Sequence, residues 1–250
     1  MRDPALAKGL REISIAPLRA EALRETNHPD QVSGRNVSAQ VKTPTAEAMN
    51  GARQRMLGYG DARNESSAPG RTRWCDVPPD EAVAQVVTHI RRFRPDVIVT
   101  HDALGQLTGH PDHRRTHQVT LLAVEAAGIA HLHQEAGEPW QPRALYAATH
   151  PQSGIGDLGP LLREVGKTLL AMPDEYVTAA VNVTEWLDRK WRAICSHSSQ
   201  LEGERPLPAL LSRVDTEMRD SILATEYFTR FSLPTGGPVA SAFTGGPSSR

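Results

Sequence analysis

The sequence predicts an α/β domain built on an open, mostly parallel sheet with helices on both faces. Three observations predict it. Val97-Ile-Val99 is a short β-branched run after Pro95 and before a polar loop, the pattern of a strand buried on both faces of a parallel sheet. Before it, Ala82, Val83, Val86, Val87 and Ile90 recur at helical spacing; after it, Val119, Leu121, Leu122, Val124 and Ala127 do the same. At 250 residues the chain is long enough for one sizeable core. It divides into a single domain over 1–232, with an atypical part at 1–52, and a Pro/Gly/Ser-rich disordered tail over 233–250.

Taken in order, residues 1–25 carry Leu6, Leu10, Ile13, Leu18 and Leu23 among charges and are interrupted by Pro17, which predicts two short helical pieces and no N-terminal strand. Residues 32–52 are polar and aperiodic, a loop. Leu57 to Gly60 reads as a strand end, and Asp61 to Arg73 as a polar loop. Pro78-Pro-Asp-Glu81 starts a helix, and Arg91, Arg92 and Arg94 close it against its dipole. Beyond the Val97 strand, Gly105 and Gly109 permit a tight loop, and Pro111 opens a helix that runs to Gly128. Ala144 to Thr149 is the next strand, and His150 begins a Gly/Pro-rich loop through Pro160. Glu175 to Val183 alternates as a strand, and Thr184 caps a helix carrying Trp186, Leu187, Lys190, Trp191, Ile194 and His197. One helix over 207–223 and a strand over 227–231 complete the domain.

Composition narrows the function. A net charge of -1 and a pI near 6.8 leave no basic footprint, so neither nucleic acid nor an anionic membrane is indicated as a partner. The two cysteines, Cys75 and Cys195, lack Cys-x-x-Cys spacing, which argues against a disulfide framework or zinc knuckle and fits a reducing, cytoplasmic setting. No signal-peptide core and no membrane-length apolar run is present.

The chemistry is expected where the Val97 strand ends, because ligands of open α/β sheets bind beyond the carboxyl ends of the strands. There His110, His113 and His117 follow one another at spacings of three and four, with Pro111 opening the helix. His113 and His117 share one face and His110 stands at its mouth. Neutral imidazole is the commonest zinc donor, and Asp112 is placed to orient a neighbouring ring. Spacing alone is equally consistent with surface or capping histidines.

Asp96 to His117, with its strand, Gly-rich loop and Gly-His-Pro-Asp-His-x-x-x-His pattern, resembles the second signature of the LmbE-like (PIG-L) family of zinc-dependent N-acetylglucosaminide deacetylases. Met56-Leu-Gly-Tyr-Gly-Asp61 resembles the family's Leu-Gly-Tyr-x-Asp segment. His197-Ser-Ser-Gln200 and Glu226-Tyr-Phe228 resemble its C-terminal helix and closing strand, so the likeness covers about residues 53 to 232. The family includes mycothiol-pathway deacetylases and amidases, and its fold is Rossmann-like. The resemblance implies that His113 is a zinc ligand, that His110 stabilises the oxyanion or protonates the leaving amine, and that Asp112 orients His110. It implies a supporting place for His117 behind them, a packing or pocket role for His197, and a place beside the substrate for Tyr59 and Asp61, which a turn carrying Gly58 and Gly60 explains equally well.

The family's first motif, a buried strand leading into Ala-His-Pro-Asp-Asp-Glu, supplies a histidine and an aspartate to zinc and another aspartate as general base. This chain offers Asn27-His-Pro-Asp-Gln31 instead. In that substitute His28 is a ligand and Asp30 the base, while Gln31 stands where a carboxylate belongs, and an amide is the poorer donor. A polar turn around Pro29 fits the same residues, and a start upstream of Met1 accounts equally for the missing strand.

The expected activity is therefore hydrolysis of an N-acyl group from an amino-sugar conjugate, with Zn²⁺ as cofactor where the site is complete. The alternative is a truncated or non-catalytic relative without metal that at most binds a sugar. The expected partner is a small amino-sugar conjugate, and a homo-oligomer is left open.

Overall fold

The computed structural model describes residues 12–14 (backbone alone), 55–64, 68–167, 169–197 and 200–233. Five strands, β1 (Glu12–Ser14), β2 (Val97–His101), β3 (Ala144–Thr149), β4 (Ala179–Asn182) and β5 (Thr225–Phe231), form one open sheet in the order β1-β2-β3-β5-β4. β1, β2 and β3 run parallel, with Val97 opposite Ala144 and His101 opposite Ala148. β5 is antiparallel to both β3 and β4. The open α/β architecture is the expected one, and its far half is an antiparallel edge of the kind often added to a parallel sheet.

β1 corrects the expectation for the N-terminus. Where a helical piece and no N-terminal strand were expected, Glu12–Ser14 pairs with Val97–Val99. Sheet pairing overrides local helical spacing in so short a stretch. Other expectations on residues 1–52, His28 and Asp30 included, lie outside the described residues, as does the tail from 234.

The helices are α1 (Pro79–Phe93), α2 (Pro111–Gly128), α3 (Leu158–Glu164), α4 (Leu187–Cys195), α5 (Leu207–Leu211) and α6 (Thr216–Leu223). α1 and α2 match the sequence pattern, because each opens on proline and carries a long apolar stripe. The single helix expected over 207–223 is two, since the Asp215 side chain accepts the Met218 amide and starts a new one. β4 is shorter than expected because a turn at Asp174–Tyr176 occupies its start. α3 begins inside the loop expected from His150 through Pro160 and runs past its end.

The main core joins α1 and α2 to one face of the sheet through Val83, Val87, Ile90, Ile98, Val124 and Leu145. Ile98 and Thr100 of β2 face it, and Thr100 meets Thr120 of α2 through their hydroxyls at 3.2 Å. Val97, Val99 and His101 are only half-buried on the other face, so β2 is not buried on both faces as expected. A smaller cluster of Leu107, Leu158, Leu162 and Leu210 packs α3 and α5 near the loop that follows β2. Among the described residues, no helix is long and apolar enough to cross a membrane.

Arg91 fixes the far end of α2. It is 3% exposed, and its guanidinium donates to the carbonyls of Ala126, Ala127, Ile129, Leu132, His133 and Gly137 at 2.6 to 3.2 Å. The last carbonyls of a helix have no partner inside it and form the negative end of its dipole, so a buried cation there satisfies both. Arg91→Met is expected to lower the unfolding free energy by about 3 kcal/mol. Arg91→Lys should recover less than half of this, because one ammonium cannot span the carbonyls. Urea denaturation measures both, and a loss below about 1 kcal/mol in Arg91→Met would contradict the clamp.

Candidate active site

The site begins where β2 ends. Asp102, 2% exposed, accepts the Gln106 amide on Oδ1 at 2.7 Å and the Thr149 hydroxyl on Oδ2 at 2.8 Å. One buried carboxylate thus pins the loop to the ends of β2 and β3. The loop turns through left-handed Gly105 (φ 78) and Gly109 (φ 58), and a Cβ at Gly105 would come within 2.9 Å of the His110 carbonyl. Glycine is needed for that turn.

The turn delivers His110 to the start of α2 as its N-cap. The ring's Nδ1 accepts the Asp112 amide at 3.3 Å, which assigns its proton to Nε2. His110 is 1% exposed. Its Nε2 lies 3.9 Å from Asp61 Oδ1, and its Nδ1 3.9 Å from Asp112 Oδ2. Asp112 therefore touches His110 through its backbone amide, and its carboxylate lies just beyond hydrogen-bond reach of the same ring nitrogen.

The stretch between Gly60 and Asp76 carries Asp61 against this histidine. Its ends are joined by the Gly60 amide to the Thr72 carbonyl and the Trp74 amide to the Gly60 carbonyl, both at 2.9 Å. The Trp74 indole donates to Thr116 Oγ1 on α2 at 3.0 Å. Asp112 Oδ2 accepts the Ala62 amide at 2.9 Å, and its Oδ1 accepts the Cys75 thiol at 3.0 Å. Burial, followed by the Asp112 hydrogen bond and charge, pushes the Cys75 thiol up to about 12, so it remains protonated and donates. Asp61 accepts the Arg63 amide at 2.7 Å, a local turn that aims its carboxylate.

His113 lies one turn into α2, half-buried, with its ring centroid 5.1 Å from that of His110. It stacks face to face on His101 at 3.9 Å. Burial above all, then His113, brings His101 down to about 3. His117, 6% exposed, holds the His101 carbonyl through Nδ1 at 2.8 Å and so straps α2 to β2.

Of the sequence-predicted residues, the structure gathers Asp61, His110, Asp112 and His113. Tyr59 is drawn aside: its hydroxyl donates to Glu81 on α1 at 2.7 Å and accepts from Gln85, and its ring lies 5.3 Å from Trp74. Burial and Glu81 push that phenol up to about 12. His197 is exposed just past α4. Sequence reasoning missed Cys75, whose partner stands 37 positions away, and did not foresee that Asp61 also lies against His110. No local pattern signals either contact.

Asp61, His110 and Asp112 form a buried group whose donor atoms lie within 4.8 Å of one another, close enough to hold a metal ion. Two carboxylates and an imidazole suit a divalent cation that takes oxygen and nitrogen. A cavity of about 510 Å³ opens beside Asp61, lined among others by Asn64, Arg71, Thr72, Arg73 and Asp76.

Residues 23–124 match the family described as GlcNAc-PI de-N-acetylase (PIG-L). A 1D-myo-inositol 2-acetamido-2-deoxy-alpha-D-glucopyranoside deacetylase of Geodermatophilus obscurus is 32% identical over 225 residues, covering 82% of this chain and 74% of the relative. The chain belongs to the PIG-L family. A relative of the same name from Rhodococcus jostii is 37% identical over 160 residues, which span 58% of this chain and 54% of that protein. The solved N,N'-diacetylchitobiose deacetylase of Pyrococcus horikoshii is 18% identical, with a TM-score of 0.43 over 64% of this chain and 55% of that one. The PIG-L match takes in every member of the buried group, and also His28 and Asp30.

Burial above all lowers the pKa of His150, in the loop after β3. An unfolded histidine titrates near about 6.5, so below that pH the unfolded chain binds more protons than the folded one and stability falls with acid. The unfolding free energy measured from pH 7.5 to 5 should therefore drop more steeply in the unmodified chain than in His150→Gln. The difference should stay under about 1.4 kcal/mol per pH unit, the ceiling for one proton. Parallel pH profiles for the two proteins would contradict this account of His150.

Proposed function

We propose that this chain is a metal-dependent hydrolase that removes the acetyl group from an N-acetylglucosaminyl conjugate. The observation that carries the reading is His110, buried at the mouth of α2 with one ring nitrogen taken up by the Asp112 amide and the other 3.9 Å from Asp61 Oδ1, a residue that lines the neighbouring cavity. Family membership supports it, as does the activity for which the Geodermatophilus obscurus and Rhodococcus jostii relatives are named.

Zinc is the ion proposed. When bound, it supplies Lewis-acid polarisation of the acyl oxygen and of a water. The buried group fits a metal by donor type and spacing. Its hydrogen bonds favour a different use, however, since both Asp112 oxygens and His110 Nδ1 already accept protein donors. We therefore assign the metal to His113, with His28 from the segment outside the described residues, and the proton work to His110, with Asp30 as base. His110 Nε2–H is oriented to donate to the developing oxyanion or to the leaving amine. Asp112 holds that ring in place, and Asp61, which faces both Nε2 and the cavity, takes a sugar hydroxyl.

Acetate release from an N-acetylglucosaminyl-inositol glycoside by the zinc-loaded chain tests the reading. His110→Ala is expected to lower kcat/KM by roughly 10²- to 10⁴-fold, the range of one acid–base group. Asp61→Ala should act mainly on KM, by about tenfold, as loss of a sugar contact would. No acetate from the unmodified chain, or full turnover in His110→Ala, would contradict the proposal.

A further inference from the structure

We infer that Cys75 is a positioning residue: its thiol, together with the Ala62 amide, holds the Asp112 carboxylate in the orientation that leaves His110 facing Asp61. The role concerns how the buried group is assembled. Its kinetic readout rests on the deacetylase reading, and its spectroscopic readout does not.

Asp112 sits in the first turn of α2, among helix amides that a short carboxylate side chain readily caps. Here it is turned outward instead, each oxygen held by one donor from the 60–76 stretch: Ala62 N–H on Oδ2 at 2.9 Å and Cys75 S–H on Oδ1 at 3.0 Å. The same stretch carries Asp61, whose Oδ1 stands 3.9 Å from His110 Nε2. The contact that orients Asp112 thus also sets the spacing of Asp61 from the histidine. The neighbouring Trp74 reaches α2 one turn further along, through Thr116 Oγ1 at 3.0 Å, so the turn bearing Cys75 is seated at two points. A thiol is a weak donor, but its acceptor is a carboxylate that is 1% exposed, where a charge-assisted hydrogen bond is at its most effective. The thiol is engaged as a donor, which distinguishes it from a reactive cysteine.

The test compares Cys75→Ala and Cys75→Ser with the unmodified full chain. Removing the donor should lower kcat about tenfold with KM changed less than about twofold, the signature of a displaced catalytic group. Serine donates in the same place and should restore kcat to within about threefold. The activity-independent arm is the infrared S–H stretch. The Cys75 band is expected below that of Cys195, to vanish in Cys75→Ala, and to move up toward the Cys195 band in Asp112→Asn. Wild-type kcat in Cys75→Ala, a serine variant no better than alanine, or a Cys75 band that ignores Asp112→Asn would each overturn the proposal. A displaced band in a chain that releases no acetate would overturn the deacetylase reading and leave the orienting contact established by the band.

Discussion

The buried carboxylate of Asp112 is the tie on which the site depends. It belongs to α2, but both its oxygens are satisfied by the stretch between Gly60 and Asp76, so one side chain joins two parts of the chain that are remote in sequence. Burying such a charge is costly unless every lone pair that faces the interior is met. That cost becomes a constraint on geometry: the stretch must approach α2 closely enough to donate twice, and in doing so it brings Asp61 to His110.

The same economy of buried polar groups recurs around the sheet. Asp102 ties the β2 loop to β3 through an amide and a hydroxyl, His117 ties α2 to β2 through a carbonyl, and Arg91 gathers the carbonyls at the far end of α2. Each joins elements that apolar packing alone would leave free to slide. α2 is therefore held to β2 near its start and to α1 at its end, and the histidines at its start inherit that rigidity. A site on such a frame can keep its reacting groups in register without a loop having to close.

The sequence made the frame legible where local rules suffice. Pro79 and Pro111 mark helix starts, Gly105 and Gly109 mark a left-handed loop, and β-branched residues mark β2; each was readable because its cause lies within a few residues. The short pairing of Glu12–Ser14 with β2 and the division of 207–223 by the Asp215 cap were not, since the first depends on a partner strand and the second on one side chain's choice of amide. Part of the candidate site was legible in the same way. His110, Asp112 and His113 share a motif, whereas Cys75 and Asp61 reach them only through tertiary contacts that carry no periodic signal. Tyr59 shows the converse, a residue from a recognisable motif that the fold commits to Glu81 and Gln85 on α1.

The central claim is a division of labour, in which His113 binds metal, His110 handles protons with its ring held by Asp112, and Asp61 meets the sugar. Elemental analysis of chelator-stripped chains reloaded with zinc tests it most directly, comparing the unmodified chain with His113→Ala and Asp61→Asn. The account predicts about one zinc per chain in the unmodified protein and in Asp61→Asn, and its loss in His113→Ala. Zinc retained in His113→Ala but lost in Asp61→Asn would contradict it and place the metal within the buried carboxylate group.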